Sequence, residues 1–185
     1  KMKSLYKNEQ SGRSMVEMLG VLAIIGVLSV GGISGYSKAM AKYKLTKAQD
    51  QMAMILINIR TAFASAPSYA GLSNSNAILM NIIPGDMLPS GIGKASGSVK
   101  NAFGGGVTLG VAASNTQFTI KFDGLGKEAC ASLASSDWGS DGLVSILVNK
   151  TTHTYGSSVL PVPPGTAITN CGEGGAANSI TWTYY

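Results

Sequence analysis

The sequence predicts an α+β fold: one long N-terminal helix, membrane-spanning in its first half, packed through its second half on an antiparallel β-sheet. Three observations predict it. Met18 to Ser37 is a run without a charged side chain, about the twenty residues that cross a bilayer as helix. Apolar residues then recur at spacings of three and four from Leu45 to Phe63, the period of a helix with one buried face. Beyond Val107 the pattern changes to short alternating runs of β-branched and aromatic residues bounded by Gly, Asn and Pro, the mark of half-buried strands.

Lys1 to Gly12 is too short and polar to be the hydrophobic core of a secretory signal, and its lysines favour the cytoplasmic side of a membrane. It reads as a leader or as the head of an ordinary uncleaved anchor. From Ser14 to about Ser65 the pattern is one helix. Its first half carries Gly20, Gly26, Gly31, Gly32 and Gly35; small residues of this kind let membrane helices approach closely. Gly31-Gly32 is its weakest point, since each glycine costs about 1 kcal/mol relative to alanine; local loosening on packing and simple close packing are the two readings of the pair. In the second half Leu45, Ala48, Met52, Ile55, Ile59 and Phe63 form the stripe for the sheet, with Met52 and Met54 as core filler. Ala66-Pro67 stops the helix.

Pro67 to Gly106 is a long connection rich in Ser, Gly, Asn and Pro, with a turn of helix expected over Ala77 to Ile83. Connections this long are usually functional or carry minor structure. Val107 to Ala112 and Gln117 to Phe122 read as a hairpin, with Ala113 to Thr116 as its turn. Gly126 to Ser135 reads as a short helix, and Leu143 to Val148 as a strand with Val144, Ile146 and Val148 on one face. Thr151 to Gly165 is expected to be a loop. Ser179 to Tyr185 alternates Ile180, Trp182 and Tyr184 with Thr181, Thr183 and Tyr185, a terminal strand expected to pair inside the sheet.

The net charge of +5 resembles a nucleic-acid signal until it is located. Nine Lys/Arg and three Asp/Glu precede Thr61, whereas five Lys/Arg and six Asp/Glu follow Arg60. The basic excess therefore lies in the leader and in Lys38, Lys42, Lys44 and Lys47, just beyond the uncharged run. The remaining domain is near neutral and lacks the basic patch that binding to nucleic acid needs; juxtamembrane lysines more often meet headgroups or acidic neighbours. Cys130 and Cys171, the two cysteines, both lie beyond the run. An even pair outside the cytosol reads as a disulfide, the other reading being two buried free thiols.

No catalytic constellation emerges. His153 is the single histidine, read as a solvated loop residue, and two cysteines some forty residues apart match no zinc spacing. Gly93-Lys94 lacks the upstream glycine and the following Ser/Thr of a phosphate loop. Gly139-Ser140-Asp141-Gly142 lacks the spacing of a nucleophile elbow. Asp123, Glu128, Asp137 and Asp141 are scattered; Asp137 and Asp141 read as solvated turn residues. Asn149-Lys150-Thr151 matches a glycosylation sequon. The expectation is a chain without catalytic residues, metal or cofactor.

One carboxylate stands apart. Glu17 sits at the margin of the uncharged run, where an unpaired charge is costly and therefore functional by default. The order of elements (polar leader, Gly12, Arg13, a glutamate four residues beyond, then the apolar run) resembles the N-terminus of type IV pilins. The downstream order sharpens the likeness: a strand ending Phe122-Asp123-Gly124-Leu125, a cysteine-bearing helix, a strand, a second cysteine and an aromatic C-terminal strand. It is similar to the type IVb pilins of enteric bacteria, the group that includes toxin-coregulated and bundle-forming pilins.

The resemblance implies a leader over residues 1–12, a transmembrane and assembly helix over 13–37 and a globular pilin domain over 38–185. A prepilin peptidase would cut between Gly12 and Arg13, and the new N-terminus would be methylated. Arg13 departs from the Phe, Met or Leu usual there. Glu17 would guide the subunit into a helical homopolymer, and the Cys130–Cys171 disulfide would tie the C-terminal region onto the domain. The implied partners are further copies of the chain, the peptidase, an assembly platform with its ATPase, and the bacterial inner membrane before assembly. The implied product is an extracellular fibre for adhesion and aggregation. The same N-terminus occurs in minor pilins and in pseudopilins of secretion or DNA-uptake machines; pseudopilins often use other staples than a disulfide, so the cysteines favour a true pilus. A membrane-anchored enzyme is the third reading, disfavoured by the missing constellation.

Overall fold

The computed structural model describes residues 15–89, 98–172 and 175–185. The chain divides into two units, residues 1–40 and 41–185. Helix α1 runs over Met15–Ala62 and contributes to both.

In the first unit every described residue from Met15 to Ala39 is exposed. The helix is unbroken through Gly31-Gly32. A β-carbon built on Gly20, Gly26, Gly31, Gly32 or Gly35 would meet nothing within 4 Å, so nothing in the single chain requires these glycines for packing. The two hydroxyls in the middle and at the end of the apolar run are satisfied internally: Ser29 Oγ donates to Ile25 O at 2.7 Å and Ser37 Oγ to Ile33 O at 3.0 Å. That back-bonding removes the cost of a bare hydroxyl in an apolar medium.

In the second unit the remainder of α1 places Ala48, Met52, Ile55 and Ile59 in the core, fully buried. Leu45 and Phe63, the ends of the predicted stripe, pack partly buried against it. Met54 does not fill the core: it is 51% exposed, because two residues past Met52 is a turn of about 200° to the opposite face. The helix stops at Ala62, before the expected Ser65, in a turn closed by Ala66 N donating to Phe63 O.

Next come α2 (Asn74–Leu79) and a single 3-10 turn at Gly85–Met87. α2 starts earlier than the apolar patch suggested because Ser73 caps it, its side chain accepting from Asn76 N. Strands β1 (Val107–Ala112) and β2 (Gln117–Leu125) form the expected hairpin. Its turn places Ala113, Ser114 and Asn115 at positive φ, with Thr116 Oγ1 donating to Ala113 O. Helix α3 (Lys127–Ser135) and strand β3 (Leu143–Val148) follow. A register shift between Leu143 and Ser145 brings Leu143 inside with Ile146 and Val148 and leaves Val144 half-buried, a departure from simple alternation.

The expected loop over Thr151 to Gly165 is partly structured. Thr151–Thr154 forms strand β4, paired to β3, and Pro164–Asn170 forms helix α4 with proline in its first turn. Proline suits that position because the first helical N–H has no partner to lose. The last strand, β5 (Asn178–Tyr184), lies inside the sheet as expected: the order is β1-β2-β5-β3-β4, antiparallel throughout.

The core gathers on β5. Asn178, Ile180, Trp182 and Tyr184 alternate inward. Trp182 lies in register with Ile120 on one side and Ile146 on the other, and meets the rings of Phe122 and Trp138 edge-on at 5.4 and 5.1 Å. Tyr184 stacks on Phe118 at 5.8 Å. Such ring pairs each add about 0.5–1.5 kcal/mol beyond area burial. Because β5 is central in the sheet, pairing with both β2 and β3, the two halves of the sheet join only through this strand.

Candidate functional site

Gly12 and Arg13 lie outside the described residues. Glu17 occupies the first turn of α1 and is exposed. A carboxylate there is favoured by the unpaired N–H groups at the start of a helix, which carry partial positive charge. It is also the only charged side chain between Met15 and Ser37. Around it lie large apolar side chains turned outward, among them Met15 at 82% and Val27 at 75% exposure. A continuous apolar surface of this extent is stable only against lipid or other protein. The segment is a helix long and apolar enough to cross a membrane. Such a surface suits a bilayer or the apolar face of another protein segment.

Within the second unit, α1 is clasped to its surroundings by polar side chains that the helical stripe did not reveal. Gln51 is buried; its Nε2 donates to Asp86 Oδ2 at 2.9 Å, and its Oε1 accepts from Ala102 N at 3.0 Å. Lys47 Nζ pairs with the same Asp86 oxygen at 3.1 Å. Desolvation opposes ionisation of Asp86, but the hydrogen bonds from Gln51 and Lys47 outweigh it and hold its carboxyl below the ordinary aspartate value. The hydrogen bond to Asp86 raises Lys47 in turn. Asn58 Nδ2 donates to Ile82 O at 2.8 Å, and Arg60 donates to Asp141 O while lying 5.5 Å from the Tyr184 ring centroid. The glutamine, asparagine and arginine thus tie α1 to the connection on one side and the C-terminal region on the other.

The connection itself is pinned to β2 by a close backbone crossing. A β-carbon on Gly105 would stand 1.8 Å from Asp123 O, and one on Gly124 2.7 Å from Gly105 Cα. Only glycine fits at Gly105, since any β-carbon there would collide with the β2 backbone. Asn101 brackets the crossing: Nδ2 donates to Asp123 O at 2.8 Å, and Oδ1 accepts from Phe103 N and Gly105 N at 3.0 and 3.1 Å. Asn74 serves β1 similarly, donating to Val107 O and accepting from Leu109 N, both at 2.8 Å.

Cys130 on α3 and Cys171 at the end of α4 form the disulfide, with Cα atoms 5.9 Å apart and both residues buried. Beside it lies a cluster of amides. Asn149, at positive φ in the β3–β4 turn, donates to Asn170 O and Asn178 Oδ1 and accepts from Ser179 N, at 2.8–2.9 Å. Asn170 Nδ2 lies 2.8 Å from His153 Nε2. His153 is thus not a solvated loop residue. It sits on β4 opposite Ile146, buried, because Thr151–Thr154 pairs with β3 as a short strand whose single inward member is His153. The Asn149 side chain is committed to this cluster, so the sequon is closed.

The other polar candidates do not converge. Asp137 Oδ1 accepts from Gly139 N at 2.9 Å, Asp123 pairs with Lys121 at 2.8 Å, and Glu128 lies exposed in the first turn of α3. Among the described residues no three His, Cys, Asp or Glu side chains gather as for a metal. Sequence reasoning missed Gln51, Asn101, Asn149 and Asn170. One signal was available: Asn149 directly follows a β-run, where asparagine tolerates the left-handed turn.

The profile of the family described as PilS N terminal matches residues 42–185. The chain is 25% identical over 191 aligned positions to the major structural subunit of bundle-forming pilus of Escherichia coli O127:H6, covering 97% of each chain. It is 29% identical over 140 positions to the toxin coregulated pilin of Vibrio cholerae serotype O1, covering 70% of this chain and 59% of that one. Its fold matches the crystal structure of type IV b pilin from Salmonella typhi with TM-score 0.57 and 23% identity, over 77% of this chain and 98% of that one.

Proposed function

The chain belongs to the PilS N-terminal family, and from that premise we propose that it is the structural subunit of a type IVb pilus that polymerises through α1 into an extracellular fibre for adhesion and aggregation. The observation that carries this reading is the exposed apolar helix with a single carboxylate, attached to a domain of type IVb pilin fold. The relatives it resembles are pilus subunits, which supports self-assembly.

The subunit waits in the bacterial inner membrane, held by the Met18–Ser37 span. A prepilin peptidase cuts between Gly12 and Arg13, and an ATP-driven platform adds the subunit to the fibre. Apolar surface then passes from lipid to protein. The new N-terminal amine is a cation entering an apolar core, and a neighbour's Glu17 neutralises it. At about 4 Å and an effective dielectric near 20, such a pair is worth about 4 kcal/mol, while either charge left alone costs at least as much. Glu17 thereby reports correct axial register. The Arg13 side chain adds a second cation at the same end, able to pair with Glu17 four residues on.

Replacing Glu17 by alanine tests the role. The variant should accumulate as folded, disulfide-bonded subunit in the membrane fraction and yield no fibres in the sheared surface fraction. Fibres in normal number would remove Glu17 from the assembly step.

A further inference from the structure

We propose that the outward face of the sheet is a docking surface for the same face of a second copy, by which assembled fibres associate side by side; this rests on the fibre subunit proposed above. The face lies within the unit 41–185. Thr119, Thr183, Ser145 and Thr154 stand in register across β2, β5, β3 and β4. Two residues along each strand, Lys121, Thr181, Leu147 and Thr152 form the neighbouring row. The residues between the rows, Ile120, Trp182, Ile146 and His153, are buried, so both rows point away from the core. Thr152 and Thr154 are exposed, and the other six are half-buried. Six of the eight carry a hydroxyl. Among the described residues none of these hydroxyls is engaged inside the chain. The one charged member, Lys121, pairs with Asp123 two residues on, at 2.8 Å, so the face has no net charge.

The chemistry selects a like face. Lipid phosphates and nucleic acid need unpaired cations, and an apolar partner needs more than Leu147, the one large apolar member. A serine or threonine hydroxyl both donates and accepts, so a grid of hydroxyls is complementary to its own copy, which a row of lysines or of carboxylates is not. Zero net charge removes the repulsion that keeps two copies of one charged surface apart. Threonine is common on strands for local reasons, but those reasons do not account for the missing charge. Strand β4 is an edge of the sheet, yet it carries no lysine or proline to guard that edge against its own kind. Four strands about 4.8 Å apart, over four residues of about 3.4 Å each, make a patch of roughly 250 Å². A stable pair needs about 800 Å² from each partner. Two isolated copies therefore stay apart, and the contact takes hold where a fibre repeats it along its length.

The test uses fibres sheared from cells and scored for bundles by low-speed sedimentation and electron microscopy. Fibres of Thr183→Lys alone, or of Thr183→Glu alone, should pellet about tenfold less than the unaltered fibres at low salt, because like charges then face one another. High salt should restore the bundles, and so should mixing the two variants at low salt. Thr166→Lys, which adds the same charge at an exposed position on α4, should leave bundling unchanged. The unaltered chain gives a second readout. A Lys121–Lys121 cross-link can join only two different copies. Stacked sheets lie about 10 Å apart, so a short amine-reactive reagent should form this link in bundled fibres and lose it in dispersed ones. Where a variant yields no fibres, this cross-link decides. Both variants bundling like the unaltered fibres overturns the docking face. So does a mixture that stays dispersed, which assigns the face to another occupant such as a neutral glycan, and so do bundles without the Lys121 link. Unaltered fibres that never associate overturn this surface alone. A chain that forms no fibres overturns the fibre subunit and this surface with it.

Discussion

Replacing Gly105 by alanine isolates the contact that fixes the long connection to the sheet. The added methyl would lie 1.8 Å from Asp123 O, 2.6 Å from Asp123 C and 2.9 Å from Gly124 Cα. All three are backbone atoms, so no side chain can swing away. Ordinary contact needs more than 1 Å of separation between the connection and β2. That opening breaks Asp123 N to Gly106 O and Asn101 Nδ2 to Asp123 O, both now 2.8 Å. Asn101 is buried, so its amide is left without a partner. Two lost hydrogen bonds, one with a buried donor stranded, cost roughly 3–4 kcal/mol. Gly104 is the internal control: it has positive φ but open space around a built β-carbon, so alanine there costs only the left-handed strain of about 1–2 kcal/mol. The assay is urea unfolding of the full chain in detergent, followed by the near-ultraviolet signal of Trp138 and Trp182. Gly105→Ala no more destabilising than Gly104→Ala would refute the crossing as the pin.

Two further predictions concern the same domain. Cys130 and Cys171 are separated by 41 residues, so replacing both by serine should cost about 4 kcal/mol on the chain-entropy account. Urea unfolding without reductant measures it, and an unchanged midpoint would show that the loop is already constrained without the bond. At high pH, burial pushes the Tyr184 phenol up to about 12, with Arg60 partly opposing. Its contribution is therefore full below the unfolded value near 10 and falls as pH rises toward 12, by roughly 2 kcal/mol, because the unfolded chain sheds the proton first. Tyr184→Phe should flatten that part of the stability profile; the same slope in the variant would assign it to another group.

Much of the architecture was legible because it is written in periods. The uncharged run, the stripe from Ala48 to Ile59 and the alternation Ile180-Trp182-Tyr184 each repeat over several residues, and a period is a local property. The elements that sequence reasoning missed are short or non-periodic. Strand β4 is four residues long with His153 as its buried member, and α4 begins at a Pro-Pro pair that also reads as loop. The register shift after Leu143 exists because of pairing with β5, which no local pattern encodes. The same divide holds in the candidate site. Glu17 stood out because a charge beside an apolar run is conspicuous. Gln51, Asn101, Asn149 and Asn170 did not, because an amide held by partners from distant parts of the chain is spelled like a solvated one. Gly105 is set apart from Gly104 by the strand that passes beneath it, a neighbour that no local pattern encodes.

The central claim is that this subunit is processed and then polymerised through the helix that carries Glu17. The most direct measurement is the intact mass and N-terminal sequence of the chain recovered from sheared extracellular fibres. The account predicts a chain that starts at Arg13, with the 130–171 disulfide formed. Fibres built from chains that still carry residues 1–12 would contradict cleavage at Gly12 and the pairing of a new N-terminal amine with Glu17.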